Sequence, residues 1–181
     1  MVENPVRPRA AKILGIFPQA EKEWTFRVEN SAPVRHGQFM QLSIPRVGEA
    51  PISISGFGDG YVDFTIRKVG KVTDELFALK KGDIIFLRGC YGNGWPVEKM
   101  KGKNIVVVAG PAKSLINMFY KDPDYAKEIY LILGFKNSKS ILFADELKQW
   151  KAAEHFHTFY TLDNEDCPGW NKGLVTGFIG K

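Results

Sequence analysis

A strip of polar side chains on two predicted strands is the first feature of the sequence that could do chemistry. Ser53 alternates with Ile52 and Ile54, and Thr65 and Arg67 belong to a second segment of the same pattern. Because successive side chains of a strand point to opposite faces, the isoleucines face a core and the serine, threonine and arginine face outward. Hydroxyls beside a cation on an open surface predict a site for a polar, anionic ligand.

The turn Gly70–Thr73 leads into a predicted helix, with Thr73 as its cap and Asp74–Glu75 in the first turn. The first backbone N–H groups of a helix lack internal acceptors and attract phosphate oxygens. Lys68 and Lys71 add positive charge nearby, whereas the two acidic residues must point away from any phosphate. The residues alone leave two interpretations open, a phosphate site and an ordinary capped helix.

Two hydrophobic patterns divide the chain. Up to about Arg88, apolar and polar residues alternate in five or six short segments that glycine and proline separate, which favours an antiparallel barrel or sandwich with one helix. From Asn104 onward, strands alternate with helices, which predicts an α/β domain. The continuous run Ile105–Ala109 is typical of a strand covered on both faces of a parallel sheet. Helices are expected over Lys113–Tyr120 and Ser140–Trp150.

The composition excludes several classes of protein. The chain has 181 residues, 44% of them hydrophobic, and its longest apolar runs are far shorter than a membrane span. The formal charge of +5 is dispersed, which argues against nucleic acid as a ligand. The two cysteines are too far apart to suggest a disulfide scaffold, and His155 and His157 have no apparent third metal ligand. We expect a cytoplasmic protein without a metal site.

The order of these motifs resembles the ferredoxin-NADP reductase superfamily. The resemblance rests on Pro51–Ile54, on Phe64–Thr73, on the Arg88–Gly94 segment with its Tyr-Gly-Asn-Gly turn, and on the strand that ends at Ala109–Gly110. It covers nearly the whole chain and is stronger before Gly110 than after it. Within the superfamily, the chain is most similar to the electron-transfer subunits of anaerobic sulfite reductases. The branches of the dihydroorotate dehydrogenase electron-transfer subunit and the hydrogenase gamma subunit are next.

The resemblance implies a six-stranded antiparallel FAD-binding barrel at residues 1–100 and a partial Rossmann-like NAD(P)-binding domain at residues 101–181. It implies that Ser53 is catalytic, with its hydroxyl near the flavin nitrogen that accepts hydride, and that the pyrophosphate of FAD lies at the helix start. The implied cofactor-binding residues are Pro51, Ile52, Ser53, Ile54, Arg67, Lys68, Val69, Gly70, Lys71, Val72, Thr73, Gly110 and Pro111.

Three departures from the family pattern are visible. Ala50 and Ile52 stand where the family often has an arginine and an aromatic residue. The turn at Gly110–Pro111 is about five residues shorter than the family's glycine-rich loop, too short to surround a pyrophosphate with free N–H groups. The sequence also ends before the family's later strands and iron-sulfur cysteines. We expect that residues are missing from the sequence as given, and a 2Fe-2S cluster only if such a carboxy-terminal segment exists.

The function that the resemblance implies is electron transfer from NADH or NADPH through FAD to iron-sulfur and siroheme-containing partner subunits. The sequence does not decide between the two nicotinamides. Two alternatives remain open. One is a docking subunit that has lost nucleotide binding, and the other is an FAD relay that receives electrons from a ferredoxin.

Overall fold

The computed structural model describes residues 7–108 and 112–178. They form two compact units, each with its own hydrophobic core. The first unit contains the described residues up to Pro18 together with Lys22–Trp95, and the second contains Gln19–Glu21 and the described residues from Pro96 onward. Within residues 7–108 and 112–178, no helix is long and apolar enough to cross a membrane.

The first unit is a closed barrel of six antiparallel strands in the order β1-β2-β5-β4-β3-β6, which confirms the predicted fold. One strand was not predicted. It is the first, whose buried positions include the small residues Ala11 and Gly15 and therefore give a weak hydrophobic signal. The strands are β1 (Arg9–Pro18), β2 (Glu23–Glu29), β3 (Phe39–Ile44), β4 (Gly48–Gly58), β5 (Tyr61–Arg67) and β6 (Ile84–Tyr91).

Alternation along the strands determines the barrel core. Phe26, Met40, Leu42 and Phe64 are fully buried, as a period of two predicts for side chains that point inward. Ser55 breaks the pattern, because alternation with Ile54 would place it on the outer face, yet it is only 5% exposed. The register between β4 and β5 shifts at this residue, so an additional side chain turns inward there.

The helix α1 (Lys71–Ala78) begins earlier than the sequence analysis predicted, because Gly70 and not Thr73 is its N-cap residue. Thr73 is the third residue of the helix and is buried. Its side chain reaches back to the residues that precede the helix, which is the position-N3 half of a capping box. Leu76 is buried in the barrel core, so α1 packs on the barrel.

The second unit is a parallel sheet in the order β10-β9-β8-β7. As predicted, one helix connects β7 to β8 and another connects β8 to β9. One helix boundary was wrong: Ser140 belongs to a short 3-10 turn and α3 begins at Ala144, after Phe143 in a left-handed conformation. The elements are β7 (Asn104–Val108), α2 (Lys113–Lys121), β8 (Glu128–Phe135), α3 (Ala144–Ala152), β9 (Phe156–Leu162) and β10 (Asn171–Lys172).

The prediction that β7 is covered on both faces was also wrong. Val107 is buried, but Val106 and Val108 are 63% and 45% exposed. In the described sheet β7 is one of the two edge strands. The inner face of β7 belongs to the same buried cluster as Leu115, Ile116 and Phe119 of α2. The outer face carries exposed aromatic side chains in the neighbouring strands as well, those of Tyr130 and Phe159.

Candidate cofactor-binding surfaces

Ser53 lies on the outer face of β4, as the alternation predicts, and its side chain is exposed. In the barrel sheet it pairs with Phe39 of β3, which in turn pairs with Tyr91 of β6. The two rings contact each other, with centroids 5.6 Å apart. Directly paired residues share one face of a sheet. Ser53 therefore has two aromatic neighbours in its row, which supply the kind of flat apolar surface that Ile52 does not.

The two isoleucines beside Ser53 face the barrel. Ile54 is 3% exposed and Ile52 is half-buried against the same core. Their side chains are occupied with packing, so only their backbone groups could face a ligand on the outer surface. Pro51 is exposed and lies on the same face as Ser53. The segment therefore presents a proline ring and a serine hydroxyl outward.

Arg88 is a charged residue of this face that the sequence analysis did not select. Gln41 pairs with Pro51 on one side and with Arg88 on the other, so the guanidinium lies two strands from the proline. Arg88 Nη2 is 2.6 Å from Glu49 Oε2, and Ser43 Oγ donates to Glu49 Oε1 at 2.9 Å. The hydrogen bond from Arg88, more than that from Ser43, lowers the pKa of Glu49. An arginine is therefore present near the position that Ala50 leaves without one, although it is paired.

The end of β5 presents exposed residues, but its positive charge is partly neutralised. Arg67 Nε is 2.9 Å from Glu23 Oε1, while the arginine side chain remains 61% exposed. Lys68 Nζ lies 6.0 Å from the centre of the Phe77 ring. Val69 is 73% exposed. A cation and an apolar side chain next to each other suit a ligand that has both charged and flat apolar parts.

The hydroxyl of Thr73 changes which backbone groups are free at the start of α1. It accepts hydrogen bonds from Val69 N–H at 2.9 Å and Gly70 N–H at 3.0 Å, and it donates to Gly70 O at 2.8 Å. The N–H group of Gly70 is therefore occupied by a partner within the chain. The N–H groups of Lys71, Val72 and Thr73 lie in the first turn, where they have no intrahelical acceptor.

The space next to this turn is open. A β-carbon added at Gly70 would meet no atom within 4 Å, apart from its chain neighbours. A β-carbon added at Gly48, at the start of β4, would meet Val72 Cγ2 at 3.3 Å. The start of β4 and the first turn of α1 are therefore close together. The free amides of α1 therefore lie near the strand that carries Pro51 and Ser53.

Thr65 is unavailable to a ligand, in contrast to the predicted polar strip. Its hydroxyl is 2.9 Å from that of Thr25 and donates to Ser55 Oγ at 2.8 Å. Ser55 Oγ donates in turn to the carbonyl of Asp63 at 3.2 Å. These three hydroxyls satisfy one another, so the strip that remains open to a ligand consists of Ser53 and Arg67.

On the second unit, the predicted cofactor-binding residues Gly110 and Pro111 lie outside the described residues. Ligands of open α/β sheets bind beyond the carboxyl ends of the strands. At this edge β8 ends at Phe135 and β9 at Leu162, and the loops that follow both strands are described. Ser138, in the loop after β8, donates two hydrogen bonds to the carboxylate of Glu165, in the loop after β9.

The two histidines, His157 in β9 and His155 just before it, contact protein groups. His157 Nε2 is 2.8 Å from Glu128 Oε2, and its ring stacks on Tyr130 at 4.7 Å. His155 Nε2 is 3.2 Å from the carbonyl of Phe119. Among residues 7–108 and 112–178, no three histidine, cysteine or acidic side chains come together as metal ligands would.

Comparison with known proteins gives one family model and several relatives. Residues 108–179 match the model of the oxidoreductase NAD-binding domain. The gamma subunit of sulfhydrogenase 1 from Pyrococcus furiosus is 34% identical over 98% of this chain and 66% of its own length. A probable dihydroorotate dehydrogenase B electron transfer subunit from Methanocella arvoryzae is 30% identical over 96% of this chain and 64% of its own. The chain thus spans about two thirds of the length of these relatives.

Solved structures share the fold at low sequence identity. A ferredoxin-NADP+ reductase from Plasmodium falciparum with 2′P-AMP superposes with a TM-score of 0.81, at 16% identity, over 98% of this chain and 81% of that one. The cytochrome b5 reductase domain of Ulva prolifera nitrate reductase superposes with a TM-score of 0.75, at 20% identity, over 94% and 79% of the two chains. Both likenesses extend over the two units described above.

Proposed function

Because this chain belongs to the ferredoxin-NADP reductase superfamily of oxidoreductases, we propose that it is the FAD-bearing electron-transfer subunit of a larger reductase. The observation that carries the proposal is the open space at Gly70, which adjoins the three free amides in the first turn of α1. The two relatives reported above are also named as subunits, of a sulfhydrogenase and of a dihydroorotate dehydrogenase.

The first unit fits FAD by the chemistry of its exposed groups. The N–H groups of Lys71, Val72 and Thr73 would donate hydrogen bonds to the pyrophosphate oxygens, and Arg67 would add a charged contact. Pro51 and Ser53 would lie along the isoalloxazine ring. Since Ile52 and Ile54 point into the core, we assign them a supporting role through their backbone only.

When bound, FAD accepts two electrons as a hydride and releases them one at a time. The contribution of the chain is to fix the ring and to supply hydrogen bonds where charge develops. Ser53 has the hydroxyl for this purpose, and Phe39 and Tyr91 lie in the same row of the barrel sheet. We propose Ser53 as the catalytic residue on these grounds.

We propose the second unit as the site of NADH or NADPH. The match to an NAD-binding domain model over residues 108–179 supports this assignment, as does the parallel sheet with described loops at its carboxyl edge. In functional terms the FAD domain then comprises residues 1–100 and the nicotinamide domain residues 101–181, which includes Gly110 and Pro111.

We propose iron-sulfur subunits as the electron acceptors and, more specifically, a siroheme-containing sulfite reductase in an anaerobic cytoplasm. The finer proposal rests on the sequence of Gly48–Ser53 and the Tyr-Gly-Asn-Gly turn. Isolation of the native complex would test it, because siroheme has a visible absorption spectrum of its own. A complex that reduces protons or oxidises dihydroorotate, and lacks siroheme, would contradict the sulfite reductase assignment.

The experiment that tests FAD binding is the replacement of Gly70 by valine. No protein atom fills the space at Gly70, so the variant should keep its stability while its valine side chain blocks the ligand. We expect the affinity for FAD to fall by about tenfold or more. A decrease of this size is comparable with the loss of one charge-assisted hydrogen bond. The measurements are the ratio of FAD to protein after gel filtration and the midpoint of thermal unfolding.

Gly177→Val is the matched control, because a β-carbon at Gly177 also meets no atom within 4 Å and lies in the second unit. It should retain FAD as the parent chain does. Equal retention in both variants would refute the placement of the pyrophosphate. A parent protein that stays colourless with added FAD would favour the docking subunit. A yellow protein that only a ferredoxin reduces would favour the relay.

A further inference from the structure

The turn between β3 and β4 holds an arginine in a backbone conformation that suits glycine better. Val47 N–H donates to Ile44 O at 3.0 Å, which closes a four-residue turn with Pro45 second and Arg46 third. The φ angle of Arg46 is 67°. A turn with proline second and a positive φ third is the pattern that selects glycine or asparagine at the third position, because a β-carbon is crowded there.

This turn lies close to the first turn of α1. A β-carbon added at Gly48, two residues after Arg46, would meet Val72 Cγ2 at 3.3 Å. Two residues of chain span at most about 7 Å. The long side chain of Arg46 is therefore attached within reach of the start of α1, where the first N–H groups lack intrahelical acceptors.

The guanidinium of Arg46 is available to a ligand. Arg46 is exposed, and among residues 7–108 and 112–178 no ion pair includes it. Two other arginines of the barrel are engaged by carboxylates, Arg67 by Glu23 and Arg88 by Glu49. An unpaired guanidinium is planar and presents its donors in pairs, a geometry that matches phosphate oxygens.

We propose that Arg46 binds the pyrophosphate of FAD from the turn between β3 and β4, an inference that rests on the proposed site at the start of α1. The phosphate oxygens would accept hydrogen bonds from the free amides and from the guanidinium together. Asp74, in the first turn of α1, would repel the same oxygens, and the charge of Arg46 offsets this repulsion. The unfavourable backbone of Arg46 is then the cost of placing a cation at this point.

The test titrates FAD into variants of Arg46 and follows the fluorescence of the flavin. Arg46→Asn removes the charge with a residue that tolerates a positive φ, and Arg46→Gly removes the charge and relieves the backbone. Both should bind FAD about tenfold more weakly than the parent chain. Arg46→Lys keeps the charge without the planar group and should lose only about threefold.

The dependence of FAD affinity on salt identifies the contact as ionic. The affinity of the parent chain should fall more steeply with added NaCl than that of Arg46→Asn, because salt screens a contact between exposed charges. Thermal unfolding without FAD separates ligand binding from support of the turn. Since glycine suits a φ of 67°, FAD-free Arg46→Gly should unfold at the temperature of the FAD-free parent or above it.

Lys81→Asn is the matched control, because it removes an exposed cation beyond the other end of α1 and changes the net charge by the same amount. It should bind FAD as the parent chain does. If Arg46→Asn and Arg46→Gly bind FAD as tightly as Lys81→Asn, or if FAD-free Arg46→Gly unfolds at a lower temperature than the parent, the role of Arg46 is overturned while the FAD site remains. If the parent chain does not bind FAD, the proposed function fails and the inference with it.

Discussion

The hydroxyl of Thr73 organises the candidate pyrophosphate site at the scale of one residue. By accepting from Val69 N–H and Gly70 N–H, it fixes the segment that leads into α1 and leaves the next three amides for a ligand. The sequence predicts a helix start here from residue types, and it predicts the threonine as a capping residue. It does not predict which position Thr73 takes, because that depends on where the backbone turns, and a glycine N-cap gives little signal.

The thiol of Cys90 should ionise at higher pH than an exposed thiol. It is half-buried on β6, and burial raises the pKa of its thiol above the ordinary value of 9.0, with the charge of Arg9 acting in the opposite direction. A raised pKa favours the thiol, so less thiolate is present at any given pH. In a Cys167→Ser variant, the rate of alkylation by iodoacetamide should therefore reach half of its maximum above pH 9.0. The same variant unfolded in urea is the control, and a midpoint at or below 9.0 in the folded protein would contradict the assignment.

The hydrophobic run of β7 predicts a strand but not which of its faces is buried. Its five residues Asn104–Val108 form a strand, as the β-branched residues indicate. A run of valines has no period, however, so it cannot distinguish a strand covered on both faces from one at a sheet edge with one face exposed. In the barrel the strands alternate, and their inner faces could be predicted directly. The start of α3 was missed because a left-handed Phe143 has no sequence signal.

Two adjacent valines of β7 allow a matched test of its burial. Val107→Ala should lower the free energy of unfolding of the second unit by about 2 kcal/mol, because this side chain is only 7% exposed within the core. Val106→Ala, on the face where Val106 is 63% exposed, should cost less than about 0.5 kcal/mol. Amide hydrogen exchange of Ile129 and Leu131 in β8 reports on both. Equal costs would mean that the outer face of β7 is covered in solution.

At the scale of the whole molecule, the barrel is a single closed ladder in which β1 joins β6 through Arg9–Lys12 and β2 through Ile13–Pro18. A closed ladder has no edge strand, so each strand depends on two neighbours. The number of strands and their antiparallel pairing could be predicted from alternation and family resemblance. The partners of β1 could not, because short-range patterns carry no information on which distant strand closes a sheet.

A proline in β1 should therefore disturb the whole barrel. Ile13 N–H donates to Asp83 O at 2.8 Å, and alternate residues of an antiparallel strand face the same neighbour, so Ala11 N–H also faces β6. Ala11→Pro removes this donor and should lower the free energy of unfolding of the barrel by about 3 kcal/mol or more. Ala11→Gly keeps the N–H group and should cost about 1 kcal/mol. Amide exchange should accelerate in β2 and β6 alike in the proline variant; acceleration confined to β1 would contradict the closed ladder.

The pairing of β1 with β6 also has a consequence for biosynthesis. Ala11 pairs with Ile85, which emerges from the ribosome more than seventy residues later. At about 5–20 residues per second, the amino-terminal segment must wait several seconds or longer for this partner. During that interval its apolar side chains are exposed to other nascent chains and to chaperones, so slow translation should increase the dependence of this protein on chaperones in the cell.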